Sequence, residues 1–323
     1  MSDGPLLNDV TRAFAEAHRN EDVRDLALKT KRTADLDLPA ALDQIAGWQI
    51  ARNKLPQWAA CADIVYPAHI SMEQCSSQFT AQYKAEIARR LLRSLPQSAG
   101  QTANDATMTD LTGGFGVDFS YLAREFGHAT YVERQSHLCE LAAHNMAALG
   151  LTQAQMVCGD GVEYLRAMEP AQLIYIDPAR RDEHGARTYA IEDCTPDALA
   201  LRDLLLAKAR YVMIKLSPML DWRKAVDDFA GTVAEVHIVS TGNECKELLL
   251  VLDGKAYQLD SARKLAICLG DEAAAYKAMG LSETVVAKSL STGSATSFAE
   301  AKKTVHGKTY DAEVFDMTLD GKP

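Results

Sequence analysis

No stretch of the chain approaches the about 18 to 20 consecutive apolar residues of a membrane span. The first twenty residues carry charges from Asp3 to Arg19 where a secretory signal would carry an apolar core. A cytoplasmic protein is the expectation. Cysteine is sparse and unpatterned: seven residues, at 61, 75, 139, 158, 194, 245 and 268, with no Cys-x-x-Cys pair and no histidine at ligand spacing. That excludes a disulfide framework and signals no metal site. Cys139 and Cys158 fall in apolar periodic segments and read as small buried hydrophobes. A basic excess is also missing, because 34 basic against 44 acidic side chains leave a net charge of −10. That balance argues against a general nucleic-acid coat relying on a uniformly basic surface. At 47% apolar and 24% charged residues, the composition is not that of a collagen-like or disordered chain.

What is present is 323 residues, enough for about two domains at about 150 residues each. Residues 1–100 hold twelve basic and twelve acidic side chains, 101–252 thirteen and twenty-two, and 253–323 nine and ten, so the acidity sits in the middle. Local basic clusters, Lys29, Lys31 and Arg32, and Arg52 and Lys54, could still face a nucleic acid, although such clusters more often lie on solvated helix faces. Apolar spacings of three and four predict helices over 6–18, 21–32, 39–53 and 71–93, with Leu26, Ala27, Ile45, Ile50, Ile87, Leu91 and Leu92 in their core. Ser94 to Gly100 reads as a linker. Beyond it, strands near 106–112, 129–133, 154–158, 172–177, 210–217, 233–240 and 246–252 alternate with helices near 117–126, 136–149, 161–168, 195–208 and 221–229. That alternation predicts an α/β fold, a mostly parallel Rossmann-like sheet. The last two strands are close enough to form a hairpin, which puts one antiparallel strand at the end of the sheet. The expected domains are a helical one over 1–98, the sheet domain over 99–253 and a small α+β segment over 254–323, with a strand and a helix within 262–281.

The strongest local signal is Thr109-Asp110-Leu111-Thr112-Gly113-Gly114-Phe115-Gly116-Val117-Asp118, from the first strand to its helix. Glycines serve where a backbone turns sharply and a ligand approaches. A dinucleotide fingerprint needs a third small residue where Phe119 stands, which disfavours a pyrophosphate-bridged cofactor. An acid followed by Thr-x-Gly-x-Gly is instead the pattern of S-adenosylmethionine binding, with Asp110, Thr112, Gly113, Gly114, Phe115 and Gly116 as contacts. Glu133 ends the second strand seventeen residues after Gly116, where a carboxylate can accept from both hydroxyls of a ribose. Asp160 follows the third strand and suits the adenine amino group. For each acid the plain alternative is a helix cap.

The fourth strand runs into Asp177-Pro178-Ala179-Arg180-Arg181-Asp182. N-methyltransferases commonly place an acid or amide, two prolines and a base-stacking aromatic here. In this chain Arg180 replaces the aromatic, so stacking would fall to Tyr189 or Phe115, or the target is not an exocyclic base amine. Arg180, Arg181 and Arg187 could clamp a phosphate backbone, or pair with Asp182 and Glu183. Asp177, Pro178 and Arg180 are the candidate catalytic residues. Gln78 and Thr80, opening the last front helix, are candidate contacts to the methionine end of the cofactor, with an ordinary helix cap as the alternative.

These segments, with Tyr131 to Arg134, Asp160 to Tyr164, Lys215-Leu216-Ser217-Pro218, Asn243 to Leu248, Asp43 to Ala46 and Gln74 to Gln78, together resemble the bacterial THUMP-like class I S-adenosylmethionine-dependent methyltransferase family over roughly residues 20–252. The resemblance implies a class I methyltransferase core with a helical front, a ferredoxin-like segment behind it and a THUMP-like RNA-binding region at the C-terminus. The chain ends before such a region is recognisable, so residues 254–323 read as a truncated ferredoxin-like segment. Pyrimidine C5-methyltransferases share Asp-Pro-Ala-Arg but need a cysteine nucleophile after the fifth strand, where this chain has Lys215 to Pro218. Cys194 is the one other candidate nucleophile, and direct displacement of the sulfonium methyl is the preferred route. The expectation is methyl transfer to RNA. The alternatives are a non-catalytic cofactor- or RNA-binding module and a protein or small-molecule methyltransferase.

Overall fold

The computed structural model describes residues 6–31, 33–95, 105–180, 191–241, 244–255, 263–269 and 315–316, with backbone alone for Arg180 and the last two stretches. Its helices are α1 (Asp9–His18), α2 (Val23–Lys29), α3 (Leu38–Lys54), α4 (Pro56–Ala59), α5 (His69–Gln74), α6 (Gln78–Arg93), α7 (Val117–Leu122), α8 (Ser136–Ala148), α9 (Gly161–Ala167), α10 (Arg202–Lys208) and α11 (Trp222–Asp228). Its strands are β1 (Thr107–Asp110), β2 (His128–Glu133), β3 (Ala154–Cys158), β4 (Ala171–Ile176), β5 (Ala179–Arg180), β6 (Cys194–Thr195), β7 (Ala209–Leu216), β8 (Val233–Thr241), β9 (Glu244–Leu252), β10 (Arg263–Leu269) and β11 (Phe315–Asp316). Among the described residues no helix is long and apolar enough to cross a membrane.

Two expected helices differ from those found. The one expected over 71–93 is split into α5 and α6, because Cys75 is extended (ψ 157°) and Ser77 Oγ accepts the Thr80 N–H at 3.3 Å, which starts a new helix. The one expected from 195 begins only at Arg202. Upstream, Asp197 Oδ1 accepts the N–H groups of Leu199 (3.0 Å) and Ala200 (3.1 Å), a side-chain turn that competes with helix. Pro56 opens the short α4.

By compactness the chain forms two units, one of residues through Ala85 with Gly113–Asp160, the other of Glu86–Thr112 with the residues from Gly161 onward. In the first unit, Ala15, Leu26, Ala41 and Ile45 form a buried cluster of α1 to α3, whereas Ala27 is exposed, against expectation. Two buried amides hold the segment before α5. Gln44 donates to the Tyr66 carbonyl (2.9 Å) and accepts its N–H (2.8 Å), and Asn145 of α8 does the same for Val65 at 2.8 and 2.9 Å. Each amide replaces a strand neighbour that these backbone groups would otherwise lack. Of the basic side chains that could face a nucleic acid, Lys29, Lys54 and Arg52 are engaged locally. Lys29 pairs with Asp25 at 2.5 Å, Lys54 donates to the carbonyls of Met72 and Glu73 (2.8 Å each), and Arg52 lies over the Trp48 ring, as does Arg19. Arg32 lies outside the described residues.

The second unit contains the strands β1, β4, β7, β9, β8, β10 and β11 as successive neighbours. β1, β4 and β7 are parallel, with Met108 opposite Leu173 and Ile174 opposite Val212. β9 runs antiparallel to both β7 and β8. β9 is therefore internal, where the end of the sheet was expected: the hairpin folds back so that β9 lies against β7, β10 extends the sheet parallel to β8, and β11 pairs antiparallel with β10 at the edge. From Leu173 to Ile176 every residue of β4 is buried, as in a strand covered on both faces. The strand expected within 262–281 is β10, and the rest of that stretch lies outside the described residues, as does most of the segment expected over 254–323.

A buried ionic cluster lies in each unit among the described residues. In the first, Lys84 of α6, fully buried, sits 3.1 Å from Asp118 of α7, and Ser76 Oγ donates to the same carboxylate at 2.7 Å. In the second, Arg90 grips Glu235 through both guanidinium nitrogens and His237 Nε2 lies 3.0 Å from Glu235 Oε2. Burial pushes the Glu235 carboxyl up, but the hydrogen bonds and charges of His237 and Arg90 outweigh it and hold the group well below its ordinary 4.5. A carboxyl with a depressed folded-state value stabilises the fold fully above its unfolded value and loses that contribution as pH falls through the folded one. Urea midpoints should thus fall more steeply below pH 4.5 for the parent than for Glu235→Gln, and parallel curves would remove Glu235 from the acid response. Lys84→Ala, which strands Asp118 in the interior, should cost about 3–5 kcal/mol by denaturant titration. The paired change Lys84→Met with Asp118→Leu should recover most of that loss.

Candidate functional site

The glycine loop is built on Tyr131. Gly113 donates its N–H to the Val132 carbonyl (2.9 Å), and the Gly116 N–H closes a turn onto the Gly113 carbonyl at 2.9 Å. A Cβ on Gly113 would stand 2.1 Å from the Tyr131 ring, so only glycine lets the loop lie on that aromatic face. The Tyr131 hydroxyl donates to the Gly114 carbonyl at 2.5 Å, while the Gly114 N–H donates to Glu133 Oε2 at 3.0 Å. Glu133 Oε1 accepts the Gln135 N–H at 2.8 Å. Both carboxylate oxygens of this 8%-exposed residue therefore hold backbone at the end of β2. Gly116 takes a left-handed conformation (φ 86°) at the start of α7.

The aromatics of the loop face inward. Phe115 is buried with its ring edge-on to Trp58 (4.9 Å between centroids), and Phe119 is fully buried against Tyr131 (5.5 Å). Phe115 can thus offer a ligand its backbone but not a stacking face, which corrects its expected use as a base platform. Tyr189, the other expected platform, lies outside the described residues. The Glu133 carbonyl accepts both the Gly159 N–H (2.9 Å) and the Cys139 thiol (3.0 Å), and burial and the neighbouring Cys158 push that thiol up to about 12. Cys158 itself is exposed, where a buried hydrophobe was expected. Asp160, also exposed, follows β3. Gln78 Oε1 accepts the Gln57 N–H at 2.9 Å, and Thr80, 2% exposed, turns its hydroxyl back to the Ser77 carbonyl at 3.2 Å.

In the second unit, β1 and β4 end side by side. Asp110, 1% exposed, accepts the Thr112 N–H at 2.9 Å, and Thr112 Oγ1 accepts the Asp177 N–H at 2.7 Å. Gly161 lies under this loop, where a Cβ would stand 2.2 Å from the Leu111 carbonyl oxygen. Asp177 Oδ2 accepts Lys215 Nζ at 2.6 Å, with side chains 37% and 14% exposed respectively. Among the described residues no hydrogen bond reaches the other carboxylate oxygen. Pro178 is buried beside it, and Cys194 is buried in β6. The side chain of Arg180 and residues 181–190, with Arg181 and Arg187, lie outside the described residues.

The structure thus brings Asp110, Thr112, Asp177 and Lys215 together in one unit, and Gly113 to Gly116 with Glu133 in the other. Sequence reasoning missed two residues here. Tyr131 reads as an ordinary strand aromatic, and Lys215 was noted only within its motif. The signal for Lys215 was its place near the end of a strand parallel to β4. Among the described residues no group of three or more potential ligand side chains is positioned to hold a metal ion.

No protein-family model matches the chain, and no curated protein sequence does. Among solved structures it is similar to a protein from Porphyromonas gingivalis W83 provisionally named a methyltransferase, with 30% identity and a TM-score of 0.67 over 82% of this chain. The chain covers 64% of that protein's length. A provisionally named class I S-adenosylmethionine-dependent methyltransferase from Listeria monocytogenes aligns with 84% of this chain and 95% of its own, at 13% identity and a TM-score of 0.48. A further match, a methyltransferase from Agrobacterium tumefaciens named as S-adenosylmethionine-dependent, has 17% identity and a TM-score of 0.39 over 55% of this chain and 63% of its own. The fold is accordingly the Rossmann-like α/β fold of class I methyltransferases.

The loop's dependence on Tyr131 can be tested directly. Gly113→Ala should lower the thermal midpoint and loosen the loop, since a ring cannot yield 1 Å or more in a packed core without loss of about 1–3 kcal/mol. Tyr131→Phe, losing only the hydroxyl's bond, should cost about 1 kcal/mol. Amide exchange at Gly114 that stays unchanged in both variants would mean that Tyr131 does not hold the loop.

Proposed function

We propose that the chain binds S-adenosylmethionine and transfers its methyl group to RNA by direct displacement. The observation that carries this reading is the chemistry of the strand ends: Asp110, Glu133 and Asp160 each follow or finish a parallel strand, and each offers only acceptor oxygens. Hydroxyl, amino and ammonium groups suit such ends, while a pyrophosphate would meet like charge. The residues fit the cofactor in one further respect. An ionised carboxylate has about four lone-pair positions, and the two backbone N–H groups on Glu133 leave acceptor capacity for a ribose diol. Asp160 would take the adenine amino group and the loop from Asp110 to Gly116 the amino-acid end. Gln78 and Thr80 are already engaged with Gln57 and Ser77, so they would reach the cofactor only by exchanging those bonds. Affiliation with the THUMP-like branch, and RNA as the substrate class, are extended here from the sequence resemblance.

When bound, the cofactor supplies an electrophilic methyl on a sulfonium. Asp177 accepts a hydrogen bond from the nucleophile and holds it in line, the kind of alignment from which much of the acceleration of a displacement comes. Thr112 pins the Asp177 backbone and Pro178 stiffens the turn, so the carboxylate does not have to be reorganised for the reaction. Calorimetry is expected to show binding of S-adenosylhomocysteine and none of NAD, and the reverse would overturn the reading. Glu133→Ala should weaken S-adenosylhomocysteine by about 1.5–3 kcal/mol. Asp177→Asn should lower the single-turnover rate by about 10² to 10³ with cofactor affinity near normal. A parental rate in a folded Asp177→Asn protein would take that residue out of the reaction.

A further inference from the structure

We propose that Cys139 and Cys158 are a peroxide-responsive pair whose disulfide weakens cofactor binding at the end of β2; the effect on binding, unlike the disulfide itself, rests on the reading of Glu133 and Asp160 as the adenosine end of the site. Topology brings the two cysteines together. β2 and β3 run parallel with Tyr131 opposite Met156 and Glu133 opposite Cys158, and opposed residues of a strand pair share a face. That face is the one α8 covers, since a Cβ on Gly116 would stand 3.0 Å from the Met146 methyl, 3.7 Å from the Tyr131 ring and 3.9 Å from Ala142 Cβ. Cys139 lies in the first turn of α8, and its thiol donates to the Glu133 carbonyl at 3.0 Å, the same oxygen that accepts the Gly159 N–H at 2.9 Å. The two thiols are hydrogen-bond neighbours. Their surroundings differ as an attacking and a resolving cysteine require: Cys158 is exposed and Cys139 is buried. Burial and the neighbouring Cys158 push the Cys139 thiol up to about 12, which keeps it protonated and unreactive toward an oxidant on its own.

The oxidant is hydrogen peroxide. The Cys158 sulfur attacks one peroxide oxygen, the O–O bond breaks, and the hydroxide released takes up the thiol proton as water, leaving a sulfenic acid. The Cys139 sulfur then attacks the Cys158 sulfur, the S–O bond breaks, and the departing hydroxide carries off the Cys139 proton as a second water. Two thiols and one peroxide thus give one disulfide and two waters, and a reducing dithiol restores both thiols by exchange, itself becoming a disulfide. The bridge removes the proton that Cys139 shares with the Glu133 carbonyl and draws the first turn of α8 toward the end of β3, because bonded sulfurs stand only about 2.05 Å apart. Both ends of that movement lead to the site. The Cys139 N–H donates to the Gln135 carbonyl at 3.1 Å, and the Gln135 N–H donates to Glu133 Oε1 at 2.8 Å. On the other side, Asp160 follows Cys158 by two residues. The carboxylate assigned to the ribose is therefore fastened to one cysteine, and the acid assigned to the adenine amino group is carried by the other.

The test uses the full chain, reduced, treated with hydrogen peroxide, alkylated at its remaining thiols and digested with trypsin. The peptide from Gln135 to Arg166 contains both cysteines and no other. It is expected unalkylated and lighter by two hydrogen atoms, and dithiothreitol should return both thiols to the alkylating agent. Calorimetry on the same preparations should show S-adenosylhomocysteine bound about 10- to 100-fold more weakly after oxidation, with recovery on reduction. Cys158→Ser should bind like the reduced parent and keep that affinity in peroxide. A peptide still alkylated at both cysteines, or one carrying a sulfinic acid at Cys158 in place of the bridge, would overturn the pair. A bridge formed with affinity unchanged would overturn the effect on binding and leave the cofactor reading intact. Failure of the reduced parent to bind S-adenosylhomocysteine would overturn that reading and the effect on binding with it, while the peptide mass still decides the pair. Loss of affinity by peroxide-treated Cys158→Ser would place the sensitivity at other residues and overturn the role given to these two.

Discussion

Where a strand ends, its backbone N–H groups lose the ladder that satisfied them, and this protein answers with side chains. Thr112 takes the N–H of Asp177, Asp110 takes that of Thr112, and Glu133 takes those of Gly114 and Gln135. A buried donor left without an acceptor is costly, so these bonds are obligatory once the loops are drawn in against the strands. Both compact units use the device independently. Its consequence for chemistry is that the same carboxylates that would meet a ligand are already oriented by the backbone around them. Preorganisation of this kind lets an acceptor group serve without moving.

The helical part of the first unit follows the same logic with neutral groups. Gln44 and Asn145 each present an amide to the backbone of one residue, Tyr66 and Val65, and so give an extended segment the partners that a sheet would have supplied. Gln44 belongs to one of the segments that carry the sequence resemblance, and Ser76, in another, donates to Asp118 inside a buried ionic cluster. These polar residues hold the fold together.

The net acidity also acquires a location. Several basic side chains of the first unit, Lys29, Arg19 and Arg52 among them, are paired or laid over Trp48. At the strand ends, the pairing of Asp177 with Lys215 changes the meaning of a carboxylate that looks solitary in the sequence.

Strand and helix positions were legible because buried strands need apolar runs and helices need three- and four-residue spacing: β2, β3 and β4 lie within one residue of where periodicity placed them. The glycine loop, Glu133 and Asp177 were legible because a sharp turn and a polar stop to an apolar strand are local events. What the chain alone could not reveal is which groups meet. The order of β9 between β7 and β8 depends on how a hairpin folds back, not on its composition. The inward turn of Phe115 onto Trp58 joins residues fifty-seven apart, and the bond from Lys215 to Asp177 joins residues thirty-eight apart. Sequence determines the local conformations and the inventory of charges, and only the tertiary structure decides which charges neutralise one another, because Coulomb and packing energies depend on distance in space.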